Sequence, residues 1–192
     1  MALNPVSVNN YNGLSFVGSS SNKPIVGVSV SVDRFTTAQA KLVATTTPVV
    51  PGSAVKVTNN ASSASGAGKE LNPNVLKAEA ITAATDLSGF LLVNETDILE
   101  MGEKAPYARN GQIVSVALLG SLIELYLPAD AGLVGANVAT KAVWDVTSGT
   151  VKTGTNGNIQ IIGPVVDGVK FKYDTATSSV VYESCKVVKV RL

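Results

Sequence analysis

The chain has 192 residues, of which 45% are hydrophobic and only 15% are charged, and 15 Lys and Arg against 14 Asp and Glu leave a net charge of +1. That balance contains no basic run dense enough for a nucleic-acid-binding stripe, so no nucleic-acid partner is expected. The chain also has no histidine, which removes the commonest general acid/base and the commonest transition-metal ligand. A low-charge, slightly hydrophobic surface suits an assembling subunit better than a free monomer.

The chain shows no sign of secretion or of membrane insertion. Its single cysteine, Cys185, cannot form an internal disulfide. No segment reaches the roughly 18 apolar residues that a transmembrane helix needs, so no membrane partner is expected. Residues 1–11 lack the basic and apolar regions of a secretory signal peptide. We therefore expect the protein to be made and used in a cytoplasm, or to leave the cell by a route other than secretion.

The first 24 residues are rich in Asn, Ser and Gly, with a few large apolar side chains. Such a segment is either an extended arm that becomes ordered on a partner surface or a flexible terminus. As an arm, it would dock through its apolar side chains, which are Tyr11, Leu14, Phe16 and Val17. Residues 25–33 alternate valine with small residues, which predicts a half-buried strand. Residues 36–44 fit a short helix or a strand equally well.

The middle of the chain contains short predicted strands separated by turns. Strands are predicted at residues 54–58 and 89–94. Residues 75–82 fit a helix or a strand, and their short length and β-branched neighbours favour a strand. Between the strand at 54–58 and this segment, residues 59–69 are nearly all Asn, Ala, Ser and Gly and read as a flexible loop. Residues 94–101 fit one helical turn.

The longest apolar run, residues 113–127, predicts a strand that is apolar on both faces. Such a strand has to be covered by its own core on one face and by something else on the other. Gly120 is expected to mark a bulge or a sharp bend in it. Four of its side chains are predicted to line either the core or a self-association interface, and these are Ile113, Leu119, Ile123 and Leu125.

Six further short strands follow, bounded by turn residues such as Asp167-Gly168. They are predicted at residues 142–146, 150–153, 159–162, 169–173, 180–182 and 186–190. Short strands at this spacing predict an all-β fold, either a small β-barrel or a sandwich of short antiparallel strands. Residues 50–55 also resemble residues 133–138 weakly, which indicates either an internal repeat or only the biased composition.

No motif for catalysis or for binding a metal or cofactor emerges. The acids Glu95, Asp97, Glu100 and Glu103 do not have the spacing of a cation-binding loop, so a solvated charged face is the better interpretation. Cys185 has no histidine to activate it, and a buried small side chain is expected there. Trp144 is expected to pack in the core or in an interface, although it could also stack on a sugar. The chain is therefore predicted to be non-enzymatic, with no cofactor.

Residues 51–192 resemble the capsid decoration, or structural cement, proteins of tailed bacteriophages. The main part of the resemblance is residues 110–125, Asn-Gly-Gln-Ile-Val-Ser-Val-Ala-Leu-Leu-Gly-Ser-Leu-Ile-Glu-Leu. Other parts are Pro-Gly-Ser-Ala-Val-Lys-Val at 51–57, Val-Leu-Lys-Ala-Glu-Ala at 75–80, Gly-Phe-Leu-Leu-Val at 89–93, Leu-Val-Gly-Ala-Asn-Val at 133–138, Trp144-Asp145, Ile-Gly-Pro-Val-Val at 162–166 and the terminal strand at 187–192. Residues 1–50 match less well and look like an added arm with an edge strand, which divides the chain into an arm (1–50) and a β-barrel decoration domain (51–192).

The resemblance implies a virion protein that is assembled in the host bacterial cytoplasm and binds the outside of the capsid. Its expected partner is the major capsid protein, and a homo-oligomer, with a trimer favoured, is expected. A head-fibre or tail component and a carbohydrate-binding β-domain are the alternatives.

Overall fold

The structure is a computed structural model that describes residues 23–28, 37–58, 76–92 and 108–192. Within these residues the protein is all-β, as predicted, with ten strands and two short 3₁₀ turns, Ala84–Asp86 and Ala131–Leu133. The strands are β1 Thr37–Leu42, β2 Ala54–Thr58, β3 Leu76–Ala80, β4 Gly89–Leu91, β5 Ile113–Leu118, β6 Glu124–Pro128, β7 Lys141–Asp145, β8 Thr150–Thr153, β9 Ile159–Asp174 and β10 Ser179–Arg191.

The first five strands form a closed barrel in the order β1-β3-β2-β4-β5. It closes because β1 pairs with β3 on one side, in parallel, and with β5 on the other, antiparallel. The segment 36–44, which the sequence left open between helix and strand, thus contains a barrel strand at Thr37–Leu42. Small and branched side chains fill the interior, as a narrow barrel requires: Ala40, Leu42, Val55, Ala78, Leu91 and Val116.

The last five strands form a second sheet in the order β6-β10-β9-β7-β8. Its two outer strands approach each other beyond the end of β6, where Ala129 forms a parallel bridge with Val151. The Asp130 N–H donates a hydrogen bond of 3.0 Å to the Val151 carbonyl at the same place. The second sheet is therefore curled almost into another barrel around its own apolar interior.

The two units share one topology, which shows that the chain contains an internal repeat. Around the barrel from β1, the strands of the first unit follow one another in the order first, third, second, fourth and fifth. Around the second sheet from β6, across the Ala129–Val151 bridge to β8, the order is β6, β8, β7, β9 and β10, which is again first, third, second, fourth and fifth. The first and third strands are parallel in both units, and every other pairing is antiparallel.

The weak sequence echo falls on equivalent turns of the two units. Ser53 N–H donates to the Val50 carbonyl at 3.2 Å, and Ala136 N–H donates to the Leu133 carbonyl at 2.9 Å. The third residue of each turn is a glycine with positive φ, +82° at Gly52 and +85° at Gly135, which is the requirement of a type II turn.

The central contact between the units is a row of side chains on the outside of the barrel. Ala54, Phe90 and Ala117 are cross-strand neighbours there, and all three join the apolar core of the second sheet. The Phe90 ring meets the Trp144 ring edge-to-face, with 5.0 Å between centroids and 72° between planes. The packing of the barrel wall against the sheet thus covers the second core.

Several predicted strand boundaries are wrong. In the described part of the strand predicted at 25–33, Ile25 forms a single parallel bridge with Val169 and the chain then turns, with Gly27 at φ +80°. The run 113–127 is two strands, because Gly120 lies in a turn between β5 and β6 with φ +81°. The two strands predicted at 159–162 and 169–173 are one strand, β9, and those at 180–182 and 186–190 are also one, β10.

Asp167-Gly168 is therefore a strand segment and not a turn. A Cβ on Gly168 would lie 2.5 Å from the Val187 side chain and 2.8 Å from the Pro24 carbonyl. The glycine allows close packing on both sides of β9, and a single sequence does not distinguish this use of glycine from a turn.

Candidate interaction surface

The predicted contact residues fall into different environments. The arm residues Tyr11, Leu14, Phe16 and Val17 lie outside the described residues. Of the other four, Ile123 and Leu125 are buried in the core of the second sheet, and Leu119 is partly buried against the same core. Ile113 is 52% exposed on the outside of the barrel.

Other large apolar side chains are exposed that the sequence did not single out. Among the described residues the three most exposed are Leu122 at 70%, Val134 at 67% and Val138 at 64%. Leu122 also has a φ of +62°, a backbone conformation that is unfavourable for a bulky L-residue. The turn that joins the two units therefore presents a strained and solvent-exposed leucine.

The long strands β9 and β10 form a two-stranded ribbon, defined here as residues 165–187, that extends beyond the rest of the second sheet. Pairing of β10 with β6 reaches only from Arg191 to Val187, whereas its pairing with β9 continues to Ser179. On the ribbon, Phe171 is buried and its ring lies 5.4 Å from that of Tyr182, which is 47% exposed.

Cross-strand charge pairs lie on both faces of the ribbon. The Glu183 carboxylate lies 3.7 Å from the Lys170 ammonium and 3.9 Å from that of Lys172, and Lys186 pairs with Asp167 at 2.8 Å. Such exposed pairs contribute little stability each. They do fix the strand register, because opposite charges face one another across the ribbon.

The outer edge of β9 is already paired by the chain itself. Val169 N–H donates to the Pro24 carbonyl, and Val26 N–H donates to the Val169 carbonyl, both at 2.9 Å. Residues 24–26 thus add a short parallel segment to the ribbon. Gly27 then lies close to the backbone of Pro51 and Gly52 and connects this segment to the barrel.

The titratable side chains of the described residues are arranged as structural ion pairs and not as a reactive site. Glu124 accepts from Arg191 at 2.6 Å and pairs with Lys189 at 2.9 Å, and these hydrogen bonds lower its carboxyl pKa. The Cys185 thiol is partly buried, and burial raises its pKa, which keeps it protonated and weakly nucleophilic. The acids at positions 95–103 lie outside the described residues.

The residues that the structure describes contain no group of three or more His, Cys, Asp and Glu side chains placed to hold a metal ion. Nowhere in those parts of the chain is there a helix with the length and apolar character needed to cross a bilayer.

No protein-family model and no curated protein matches the chain. The chain's own residues and the resemblance in its sequence are therefore what indicate its function.

Proposed function

We propose that the chain is a non-enzymatic virion protein that decorates the outside of a bacteriophage capsid and stabilises it by bridging major capsid subunits. The observation that supports this most is the exposed apolar set at Leu122, Val134 and Val138, each about two-thirds exposed on a body of low charge. A stable subunit contact buries roughly 1,200 to 2,000 Å² in total. Apolar side chains exposed on the turns and loops of the β-framework supply area for such contacts.

The proposed mechanism depends on repetition. Each copy binds where neighbouring capsid subunits meet, and the arm side chains Tyr11, Leu14, Phe16 and Val17 dock on the adjacent subunit. Many modest contacts on one lattice then act in parallel against internal pressure. The resemblance favours a trimer as the bound form, located on the capsid exterior after assembly in the host cytoplasm.

The carbohydrate-binding alternative needs a platform of exposed aromatic rings. In the described parts of the chain Trp144 is 7% exposed and packs on Phe90, and Tyr182 is the one aromatic residue among the exposed large hydrophobics. These positions favour a packing role for Trp144. No described feature favours a head fibre or a tail component over decoration.

The test is co-sedimentation of the purified protein with expanded and unexpanded heads of the phage that encodes it, together with its solution mass from light scattering. We expect saturable binding to expanded heads. The double variant Leu14→Ala/Phe16→Ala should bind more weakly while keeping the thermal stability of the free protein. The matched control is Val143→Ala, which trims a partly exposed valine on the second sheet.

Two results would count against the proposal. A protein that never sediments with expanded heads is not a decoration protein. Equal loss of thermal stability and of head binding in the double variant would place Leu14 and Phe16 in the core instead of at a contact.

A further inference from the structure

We propose that residues 16–18 of the N-terminal arm, Phe-Val-Gly, bind the Val134-Gly135 turn of a second copy of this chain. The proposal rests on the contact role that the proposed function gives to the arm. It specifies that the adjacent subunit for Phe16 and Val17 is another copy of the same protein. The contact itself needs no capsid.

The pattern for this contact is found inside the chain, at the turn Val50–Ser53. The segment Ile25-Val26-Gly27 lies on that turn, and both Pro51 and Gly52 are buried. A Cβ on Gly52 would lie 2.1 Å from Cγ1 of Val26, and a Cβ on Gly27 would lie 2.5 Å from the Gly52 nitrogen. The two backbones approach this closely because both positions are glycine.

The turn Leu133–Ala136 has the same local structure, but its surface is exposed. It has the same hydrogen bond between its first and fourth residues and the same positive φ at its glycine. Val134, which takes the place of the buried Pro51, is 67% exposed. Among the described residues nothing lies within 4 Å of a Cβ added to Gly135. The second turn therefore presents the kind of surface that Val26 and Gly27 cover on the first.

The arm contains a segment of matching chemistry. Phe16-Val17-Gly18 repeats the order of Ile25-Val26-Gly27, which is a large apolar residue, a valine and a glycine. The valine fits the open space beside Gly135, and the glycine approaches the turn backbone without a clashing Cβ. The phenylalanine gains apolar area to bury, because Val138 is exposed in the same loop as Val134.

A second copy is the source of this segment because Val134 remains exposed in the single chain. The arm of one copy and the turn of the next are different surfaces, so the contact between them is heterologous. Repeated around a threefold axis, such a contact closes a ring in which every arm and every turn is used. A ring of this kind agrees with the trimer that the resemblance implies.

Disulfide trapping in the absence of heads tests the contact. On the covered turn, a Cβ added to Gly52 would lie 3.5 Å from the Cβ of Val26, which is within the range that a disulfide spans. The corresponding pair is Val17→Cys with Gly135→Cys, placed on one chain in a Cys185→Ser background. Under mild oxidation we expect linked dimers and trimers on a non-reducing gel. They should form on the order of tenfold faster than collision allows, because docked thiols have a high effective concentration.

The matched control is Val17→Cys with Gly111→Cys in the same background. Gly111 is also exposed, has a φ of +90° and has no described atom within 4 Å of an added Cβ. It therefore matches Gly135 in backbone strain and accessibility, and its linkage reports collision alone. A second pair, Val17→Cys with Val134→Cys, leaves the turn glycine in place and should also link faster than the control.

Two substitutions in the arm test how the segment lies on the turn. Gly18→Val adds a side chain where the corresponding Gly27 has no room for one, so the linkage of Val17→Cys with Gly135→Cys should fall to the control rate. Ser19→Val gives the arm the residue type that follows Gly27, and it should leave the linkage rate unchanged.

Three results would overturn the proposal. They are linkage of both pairs no faster than that of the Gly111→Cys control, linkage confined to single chains, and linkage that Gly18→Val does not slow. The outcome is independent of head binding. A chain that links as expected but never sediments with expanded heads would contradict only the proposed function, whereas head binding without linkage would contradict only this contact.

Discussion

Two hairpin turns of the second sheet are built on the same aspartate arrangement. One Asp145 oxygen accepts from the Thr147 N–H at 3.0 Å, and the other accepts from the Ser148 hydroxyl at 2.9 Å. The Ser148 hydroxyl also lies 2.7 Å from that of Thr150. In the turn after β9, Asp174 has the corresponding set of contacts. Short polar side chains that bind the nearby backbone thus end both strands.

The first turn is expected to make stability depend on pH. Hydrogen bonds from Lys152, Ser148 and Thr147 lower the pKa of Asp145 to about 2. A folded-state pKa below the unfolded value of about 3.9 means that the carboxylate stabilises the fold above pH 4 and loses this effect as the pH falls towards 2. Asp145→Asn should therefore unfold at a lower temperature than the parent at pH 7, and at nearly the same temperature at pH 2.

Thermal unfolding of the two proteins at pH 7, 4 and 2 measures this difference. Lys152→Gln serves as the control, because it removes the ion pair but leaves the turn hydrogen bonds in place, and its effect at pH 7 should be the smaller one. A difference between parent and Asp145→Asn that stays constant from pH 7 to pH 2 would show that the charge of Asp145 does not matter.

Two glycines show how much of the local backbone structure a single sequence can predict. Gly120 was expected to mark a bend, and it does, because its positive φ suits a turn in open solvent. Gly168 was interpreted as part of a turn, but its missing side chain makes room for Val187 and Pro24. The two uses have the same sequence signature, and only the neighbours brought together by the fold distinguish them.

At the scale of the strands, the apolar run 113–127 predicted burial on two faces, and the structure gives the reason. In β5, Val116 points into the barrel and Ala117 points into the core of the second sheet. The sequence could not show that the strand lies between two different cores. For the same reason it could not divide the four candidate residues between core and surface.

Alanine substitutions should separate the buried residues of this run from the exposed one. Leu125 is fully buried, and Leu125→Ala should lower the free energy of unfolding by about 2–5 kcal/mol. Ile113 is 52% exposed, and Ile113→Ala should change it by no more than about 0.5 kcal/mol. Urea unfolding of the free protein measures both, and a large loss for Ile113→Ala would place that residue in a contact between copies.

At the scale of the whole molecule, the repeat shows what makes the two units different. The outward row Ala54, Phe90 and Ala117 of the barrel corresponds, strand by strand, to Lys141, Gln160 and Arg191 of the second sheet. The first row is apolar and buried between the units, whereas the second is polar and lies on the surface. One topology therefore supplies a packing face in one copy and a solvated face in the other.

The buried row should make the two units unfold together. Trp144 is the only tryptophan and packs on Phe90, so its fluorescence reports the contact between the units, while far-UV circular dichroism reports both. In the parent protein both signals should change at one urea concentration, as in a two-state transition. Phe90→Ala should cost about 3–5 kcal/mol and should shift the fluorescence change to lower urea than the loss of strand signal.

Phe171→Ala is the matched control for this separation. Phe171 is also buried and its ring contacts Tyr182 on the ribbon; it borders residues 47–50 of the first unit but does not belong to the core that holds Phe90 and Trp144. Its loss should lower stability while both signals still change together. If Phe90→Ala also kept the two signals coincident, the units would be joined mainly by the chain connection through Gly120 and Leu122, and the buried row would add stability without coupling them.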